Sequence, residues 1–355
     1  MKTSSPLIDT PEGFAEVLPL LKPLLRIPID TEADSLHCYF EKLCLIQISV
    51  PGRDLLIDPL APIDLSQLFN AFAGKELIIH GADYDLRLLR RVGYAEPKAV
   101  FDTMLAARLS GETQFSLAAL ILKYFGETIA KASQKANWAL RPLPSQMIEY
   151  AVKDTHYLLE IATILEADLL RLGRVEWHRQ ACEKAIVASS ITKERDPDEI
   201  WRISGSHELK DRSGAILRAL WHWRDQEAQA VDKPAFHILH NEQLLRVAVD
   251  VDAGREVRIP HIHGGRRQRF FAAAEAGLGV AEEEWPRRER VPRPKFTPDF
   301  DRRLQDLKGR RDKLAEDLQL DPSLIAPKTI LENLAANKME ILLKMMPWQR
   351  ELLGV

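Results

Sequence analysis

The sequence predicts a mixed α/β domain over residues 1–191, followed by two all-helical domains near 205–285 and 297–355. Three observations carry that division. Strand patterns crowd the first hundred residues and then alternate with helix patterns, the signature of a mixed sheet. A charged stretch from residue 192, TKERDPDEIWRISG, breaks the periodicity as a linker does. Beyond it helix patterns run on almost without strands.

Strand patterns come first, at LRIPIDTE (25–32), LCLIQISV (43–50) and DLLIDP (54–59). Pro51-Gly52-Arg53 is a tight turn between the last two, so the three form an antiparallel meander. A helix, LSQLFNAFAG, a strand, ELIIH, a helix, YDLRLLRRVG, and a short strand, AVFD, follow. Gly74 and Gly93 stand where helices stop. One long helix is expected from about Pro144 to Leu172, apolar at Met147, Ile148, Ala151, Leu158, Leu159 and Ile161.

The helical half contains a repeat. A shift of 87 residues aligns Leu217 with Leu304, Leu220 with Leu307, Arg224 with Arg311, Asp225 with Asp312 and Ile238 with Ile325. Shared leucines are common to amphipathic helices; the ungapped Arg-Asp coincidence points to duplication. One duplication makes a pair of similar domains rather than a solenoid. Between the copies, PRRERVPRPK (286–295) is a semi-rigid basic linker.

Composition sets limits on function. Apolar residues at 46% and charged residues at 28% suit a globular protein with packed cores. A net charge of −3 gives no global signal for nucleic acid, so any such signal is local. Cys38, Cys44 and Cys182 are sparse and unpaired in spacing, which fits a reducing compartment. The first residues lack the apolar core of a signal peptide, and no apolar run reaches membrane-spanning length. A cytoplasmic monomer is expected, without membrane contact.

The chemistry gathers around Asp30 and Glu32. Residues at i and i+2 of a strand share a face, so both carboxylates project together. Alone, such a pair also describes two solvated acids at a strand end. Company strengthens it. IIHGADYDLRLL ends a strand at His80 and opens a helix carrying Asp85, where α/β proteins place their sites. Asp83 in that segment reads as a helix cap. In EYAVKDTHYLL, Tyr150 and Asp154 lie four apart on one helix face, which ordinary surface use would also explain. Four carboxylates from three segments suit two hard divalent cations, Mg²⁺ or Mn²⁺, with room left for phosphate. Two such ions can clamp the attacking and leaving oxygens of phosphoryl transfer.

IDTE with LCLIQIS, HGADYDLRLL, FDTMLAARL, KASQKANWALRPL and EYAVKDTHYLL, in that order, resemble bacterial ribonuclease D over roughly residues 5–190. That family is a DEDD-type 3′–5′ exonuclease with a ribonuclease-H-like fold. The tail resembles two helicase-and-ribonuclease-D C-terminal (HRDC) domains, the first carrying LWHWRDQEAQAVDKPAFHIL and the second shorter. By motif, the resemblance implies that Asp30, Glu32, Asp85 and Asp154 are metal ligands and catalytic. Tyr150 lies four residues before Asp154 and Glu149 five before, which implies the tyrosine branch, with Tyr150 orienting the attacking water. A free tyrosine pKa near 10 makes it a poor base.

Two departures stand out. Ala33 follows the DTE triplet where many relatives carry an aromatic, and Asn137 replaces the usual acid before Trp138. The resemblance implies RNA as substrate, with tRNA precursors and other small RNAs expected, cut to nucleoside 5′-monophosphates. A non-catalytic RNA-binding scaffold and a 3′–5′ DNA exonuclease are the alternatives. The repeated tail is expected to hold substrate rather than cut it. REVRIPHIHGGRRQRFF (255–271) clusters arginine with Phe270 and Phe271, whose ordinary fate is the core. His261 and His263 read as loop residues, and Trp221 and Trp223 as helix core and rim.

Overall fold

The computed structural model describes residues 7–129, 135–191, 196–209, 211–287 and 297–355. Most of the basic linker therefore lies outside the described residues, as do the first residues of the linker at 192. The chain forms two compact units. One comprises residues up to 33, 43–191 and 294–355; the other comprises 34–42 and 192–293.

The first unit is built on a six-stranded sheet of β1 (Leu7–Ile8), β2 (Arg26–Ala33), β3 (Leu43–Val50), β4 (Arg53–Ile57), β5 (Glu76–Ile79) and β6 (Ala99–Asp102), in the order β1-β4-β3-β2-β5-β6. β2, β3 and β4 form the expected antiparallel meander. β5 joins β2 in parallel, β6 joins β5, and β1 pairs in parallel with β4. β1 is two residues long, too short to leave a periodic signal.

Among the described residues, eight helices accompany this sheet: α1 (Pro11–Leu21), α2 (Leu65–Phe72), α3 (Asp83–Arg91), α4 (Thr103–Leu109), α5 (Leu117–Phe125), α6 (Ser145–His156), α7 (Leu158–Arg171) and α8 (Val175–Ser190). The two-residue period of the strands sorts their side chains between two cores. Ile27 and Ile29 of β2, with Ile46, Ile48, Leu77 and Ile79, pack with apolar residues of α1, α2 and α3. Leu45 and Leu56 face the other way, packed with Trp138, Met147 and Ala151, while Ile78 and Phe101 meet α4, α5 and α7. Because Ile27 and Ile29 take the first face, Asp30 and Glu32 are left on the second.

The single helix expected over 144–172 is two helices, α6 and α7, meeting at Tyr157. The cause lies in the packing. Met147 and Ala151 of α6 belong to the cluster over β3 and β4. Leu158, Ile161, Leu165 and Leu169 of α7 belong to the cluster around Ile78 and Phe101. One straight rod cannot serve both.

The second unit is helical, with α9 (Asp211–Ala230), α10 (Ala235–Ile238), α11 (Asn241–Asp252) and α12 (Gly264–Leu278). Trp221, Trp223 and Phe270 lie in its core, whereas Phe271 is exposed beneath Arg267, 5.2 Å from its guanidinium carbon. α12 approaches α9 closely at Gly277, where a Cβ would meet Ile216 Cα at 2.6 Å.

α13 (Pro298–Leu318), α14 (Pro322–Ile325), α15 (Lys328–Ala335) and α16 (Pro347–Leu353) follow. The 87-residue shift carries the first residues of α9, α10 and α11 onto those of α13, α14 and α15. It also carries one hydrogen bond onto another: Arg224 Nη1 donates to Leu239 O at 3.0 Å, and Arg311 Nη1 to Ala326 O at 3.1 Å. The segment 297–355, expected as a separate domain, belongs to the first unit. Ala315, Ile325, Leu331, Trp348 and Leu353 share one core with Phe101, Leu109 and Leu165. Among the described residues, no helix is long and apolar enough to cross a membrane.

Candidate active site

Four of the five expected site residues are carboxylates, and the fold delivers them from three directions. Asp30 and Glu32 sit near the end of β2, opposite Gln47 and Leu45 of β3. Asp154 comes from α6, above the same face. Carboxylate oxygens of Asp30, Glu32 and Asp154 all lie within 4.8 Å of one another. Asp85 enters from the other side of the sheet, on α3. Its Oδ1 accepts a hydrogen bond of 2.6 Å from Thr31 Oγ1, the residue between the two strand acids. Asp85 thus stands beside the three-acid group, held to the strand that carries two of its members.

The loop before α3 is fixed by a further acid. Asp102, at the end of β6, accepts from the amides of Gly81 and Ala82 at 3.0 and 2.8 Å and caps α4 through those of Met104 and Leu105. His80 Nδ1 lies 3.0 Å from Thr103 Oγ1, and burial lowers the His80 pKa, keeping the ring neutral. Asp83 is the first residue of α3 rather than its cap, and its carboxylate pairs with Arg87 at 2.7 Å.

Electrostatics mark this group as a place for cations. Burial and the charges of Asp85, Asp154 and Glu32 hold Asp30 well above the usual carboxylate range. Burial, with Asp154 and Asp85 close by, pushes Glu32 up to about 9. Burial raises Asp85 to about 7 against the opposing hydrogen bond from Thr31. Burial likewise raises Asp154 to about 7, against a hydrogen bond from the Tyr150 hydroxyl. Like charges in low dielectric retain protons unless a cation replaces them. Among the described residues, Asp154 Oδ2 is buried without a hydrogen-bond partner, so one ligand atom is left for an ion. An all-oxygen donor set of this charge fits a hard divalent cation.

Tyr150 is half-buried on α6, and its ring packs against Trp138 with centroids 6.1 Å apart. Glu149 is exposed. Asn137 Oδ1 accepts from the Ala139 amide at 3.2 Å, closing a local turn.

Two neighbours of the acids escaped the sequence reading. Gln47 is fully buried and its Nε2 lies 3.4 Å from Asp30 Oδ2. A lone amide inside the apolar run LCLIQISV was its signal, since buried polar groups need partners. Thr31 had no signal, because threonine is ordinary in strands.

Residues 6–170 match the 3′–5′ exonuclease family, and residues 213–251 match the HRDC domain. Ribonuclease D of Gluconacetobacter diazotrophicus is 32% identical over 284 residues, covering 78% of this chain and 70% of that protein. The chain belongs to the ribonuclease D family. A crystal structure of a protein from Bifidobacterium adolescentis superposes with a TM-score of 0.83 at 25% identity, covering 98% of this chain and 94% of that one. The structure of Escherichia coli RNase D gives 0.70 at 22% identity, covering 94% and 91%, a likeness of fold. As a ribonuclease D, the chain carries all four acids and Tyr150 inside its exonuclease segment.

In the second unit, the arginines of 255–271 are largely engaged within the protein. Arg266 and Arg269 grip Glu227 at 3.0 and 2.5 Å, and Arg255 and Arg258 pair with Asp250 and Glu256. His261 and His263 lie at a loop and a helix entry, as expected.

Proposed function

We propose that this 3′–5′ exoribonuclease trims RNA 3′ ends by metal-dependent hydrolysis, releasing nucleoside 5′-monophosphates, with tRNA precursors and other small RNAs as its substrates. The observation that carries the reading is the convergence of Asp30, Glu32, Asp85 and Asp154 from β2, α3 and α6. Asp30, Glu32 and Asp154 would hold one divalent cation, and Asp85 would complete the site for a second. Mg²⁺ or Mn²⁺ suits this donor set. Bound cations supply the positive charge that activates water and stabilises charge on the phosphate. The Tyr150 hydroxyl, bonded to Asp154, orients the attacking water rather than taking its proton. We place the protein in the cytoplasm as a monomer.

The test is cleavage of a 3′-tailed tRNA and a matched DNA strand with Mg²⁺ or Mn²⁺, with products read on a gel. Wild type should release nucleoside 5′-monophosphates from RNA only when a divalent ion is present. Asp154→Asn removes a charge the ions need, so turnover should collapse and metal affinity should fall. Tyr150→Phe leaves the carboxylates intact and should slow single turnover by about 10²-fold at unchanged metal affinity. Metal-independent cleavage, or faster cleavage of the DNA strand, would overturn the reading.

A further inference from the structure

Arg141 lies outside the acidic group, yet it fixes the ring against which Tyr150 packs. A guanidinium has five N–H donors in a planar fork. Here five acceptors meet it. Nε donates to Asp58 Oδ2 and Nη2 to Asp58 Oδ1, each at 2.5 Å. Nη2 also donates to the Cys44 carbonyl, and Nη1 to the carbonyls of Trp138 and Leu140, all at 2.8 Å. Asp58 is 3% exposed, and its own amide donates to Ile8 O at 2.9 Å. The anchor is therefore the sheet itself: the end of β4 and the start of β3.

What the fork holds is the backbone of Trp138. That indole is 1% exposed, and among the described residues its Nε1 has no hydrogen-bond partner. Packing and its clamped carbonyl are what locate the ring. The ring in turn meets Tyr150 at a centroid distance of 6.1 Å, tilted by 40°. A chain of contacts thus runs from the sheet through Asp58, Arg141 and Trp138 to the hydroxyl bonded to Asp154.

We propose that Arg141, locked by Asp58, is a positioning residue for catalysis, setting the place of the Tyr150 hydroxyl through Trp138. The proposal rests on the reading of Tyr150 as the group that orients water. Lysine keeps the charge but cannot make the planar, five-donor contact, so Arg141→Lys loosens the ring without introducing an unpaired acid.

A double-mutant cycle on the full-length chain separates positioning from general support. Arg141→Lys, Tyr150→Phe and the double variant are compared in single-turnover cleavage of a short RNA oligonucleotide at saturating Mn²⁺. Arg141→Lys should lower the rate about tenfold, the scale of a small misplacement, with KM within about twofold. In the Tyr150→Phe background the same change should cost less than about threefold, because the hydroxyl it places is gone. Asp58→Asn, which keeps the shape of the anchor, should show the same non-additivity, and it carries the test if Arg141→Lys does not fold. If Tyr150→Phe is slow while the Arg141→Lys loss persists undiminished in the double variant, the positioning role is overturned and the tyrosine assignment stands. If Tyr150→Phe cleaves as fast as wild type, the tyrosine assignment fails and this inference falls with it.

Discussion

Thr31→Val probes how the second face of the site is wired to the first. Valine keeps the β-branched shape and the strand preference, so only the hydroxyl is lost. That hydroxyl donates at 2.6 Å to Asp85 Oδ1, with Thr31 at 5% and Asp85 at 4% exposure. A hydrogen bond to a charged group contributes about 1.5–3 kcal/mol. Losing it disfavours the ionised carboxyl, so Asp85 moves above its present value of about 7 by roughly one or two pH units. Protons then compete better with cations. At pH 7 the Mn²⁺ concentration for half-maximal rate should rise by roughly five- to fiftyfold. At pH 9.5 the gap from wild type should narrow, because Asp85 is ionised in both proteins. The assay is single-turnover cleavage against Mn²⁺ at a series of pH values from 6 to 9.5. A deficit of equal size at every pH, or no deficit at all, would refute the claim that Thr31 acts by holding Asp85 ionised.

The acids also set a pH dependence of stability. Their folded pKa values are raised, so the folded chain holds more protons than the unfolded chain between about pH 4 and 9, and stability falls as pH rises through that window. Asp85 alone, moved from 3.8 to about 7, corresponds to about 4 kcal/mol. In EDTA the melting temperature of the exonuclease unit should therefore drop from pH 6 to pH 9, and Mn²⁺ should raise it more at pH 9; equal rises at both pH values would contradict this. Truncation after Ser190, which sequence patterns suggest is harmless to cleavage, strips Ile325, Leu331 and Trp348 from a core shared with Phe101 and Leu165. The truncated chain should melt lower or aggregate in a thermal scan, whereas truncation that left melting unchanged would deny the shared core. Gly277→Ala forces a Cβ to within 2.6 Å of Ile216 Cα and should cost about 1–3 kcal/mol in the helical unit, leaving the rate on short RNA oligonucleotides unchanged. Calorimetry showing no loss there would mean that α9 and α12 do not pack so closely.

Periodicity made much of this protein readable in advance. The two-residue repeat of β2 placed Asp30 and Glu32 on one face, and the helix repeat placed Tyr150 and Asp154 on another. Turn chemistry at Pro51-Gly52 marked the meander, and the Arg224–Arg311 correspondence marked the duplicated helices, down to the same hydrogen bond to a carbonyl. These are local facts, written in the order of residues along one element.

Contacts between elements were decided by the tertiary structure. An apolar stripe says which side of a helix is buried and nothing about what covers it. That is why α6 and α7 read as one helix until two separate cores divided them at Tyr157, and why α13–α16 read as a free domain until they shared the core of Phe101 and Leu165. Asp85 belongs to the same case. The sequence placed it at a helix start, but only the crossing of α3 over the end of β2 brought it to Thr31. Arg141 carried no signal of its own within KASQKANWALRPL. Two of its five acceptors, the carbonyls of Trp138 and Leu140, are local, but the other three come from Asp58 and Cys44, 83 and 97 residues away, which no spacing along the chain announces. Sequence determines the faces; the packing of those faces decides which groups meet, because burial is rewarded by area and is indifferent to order along the chain.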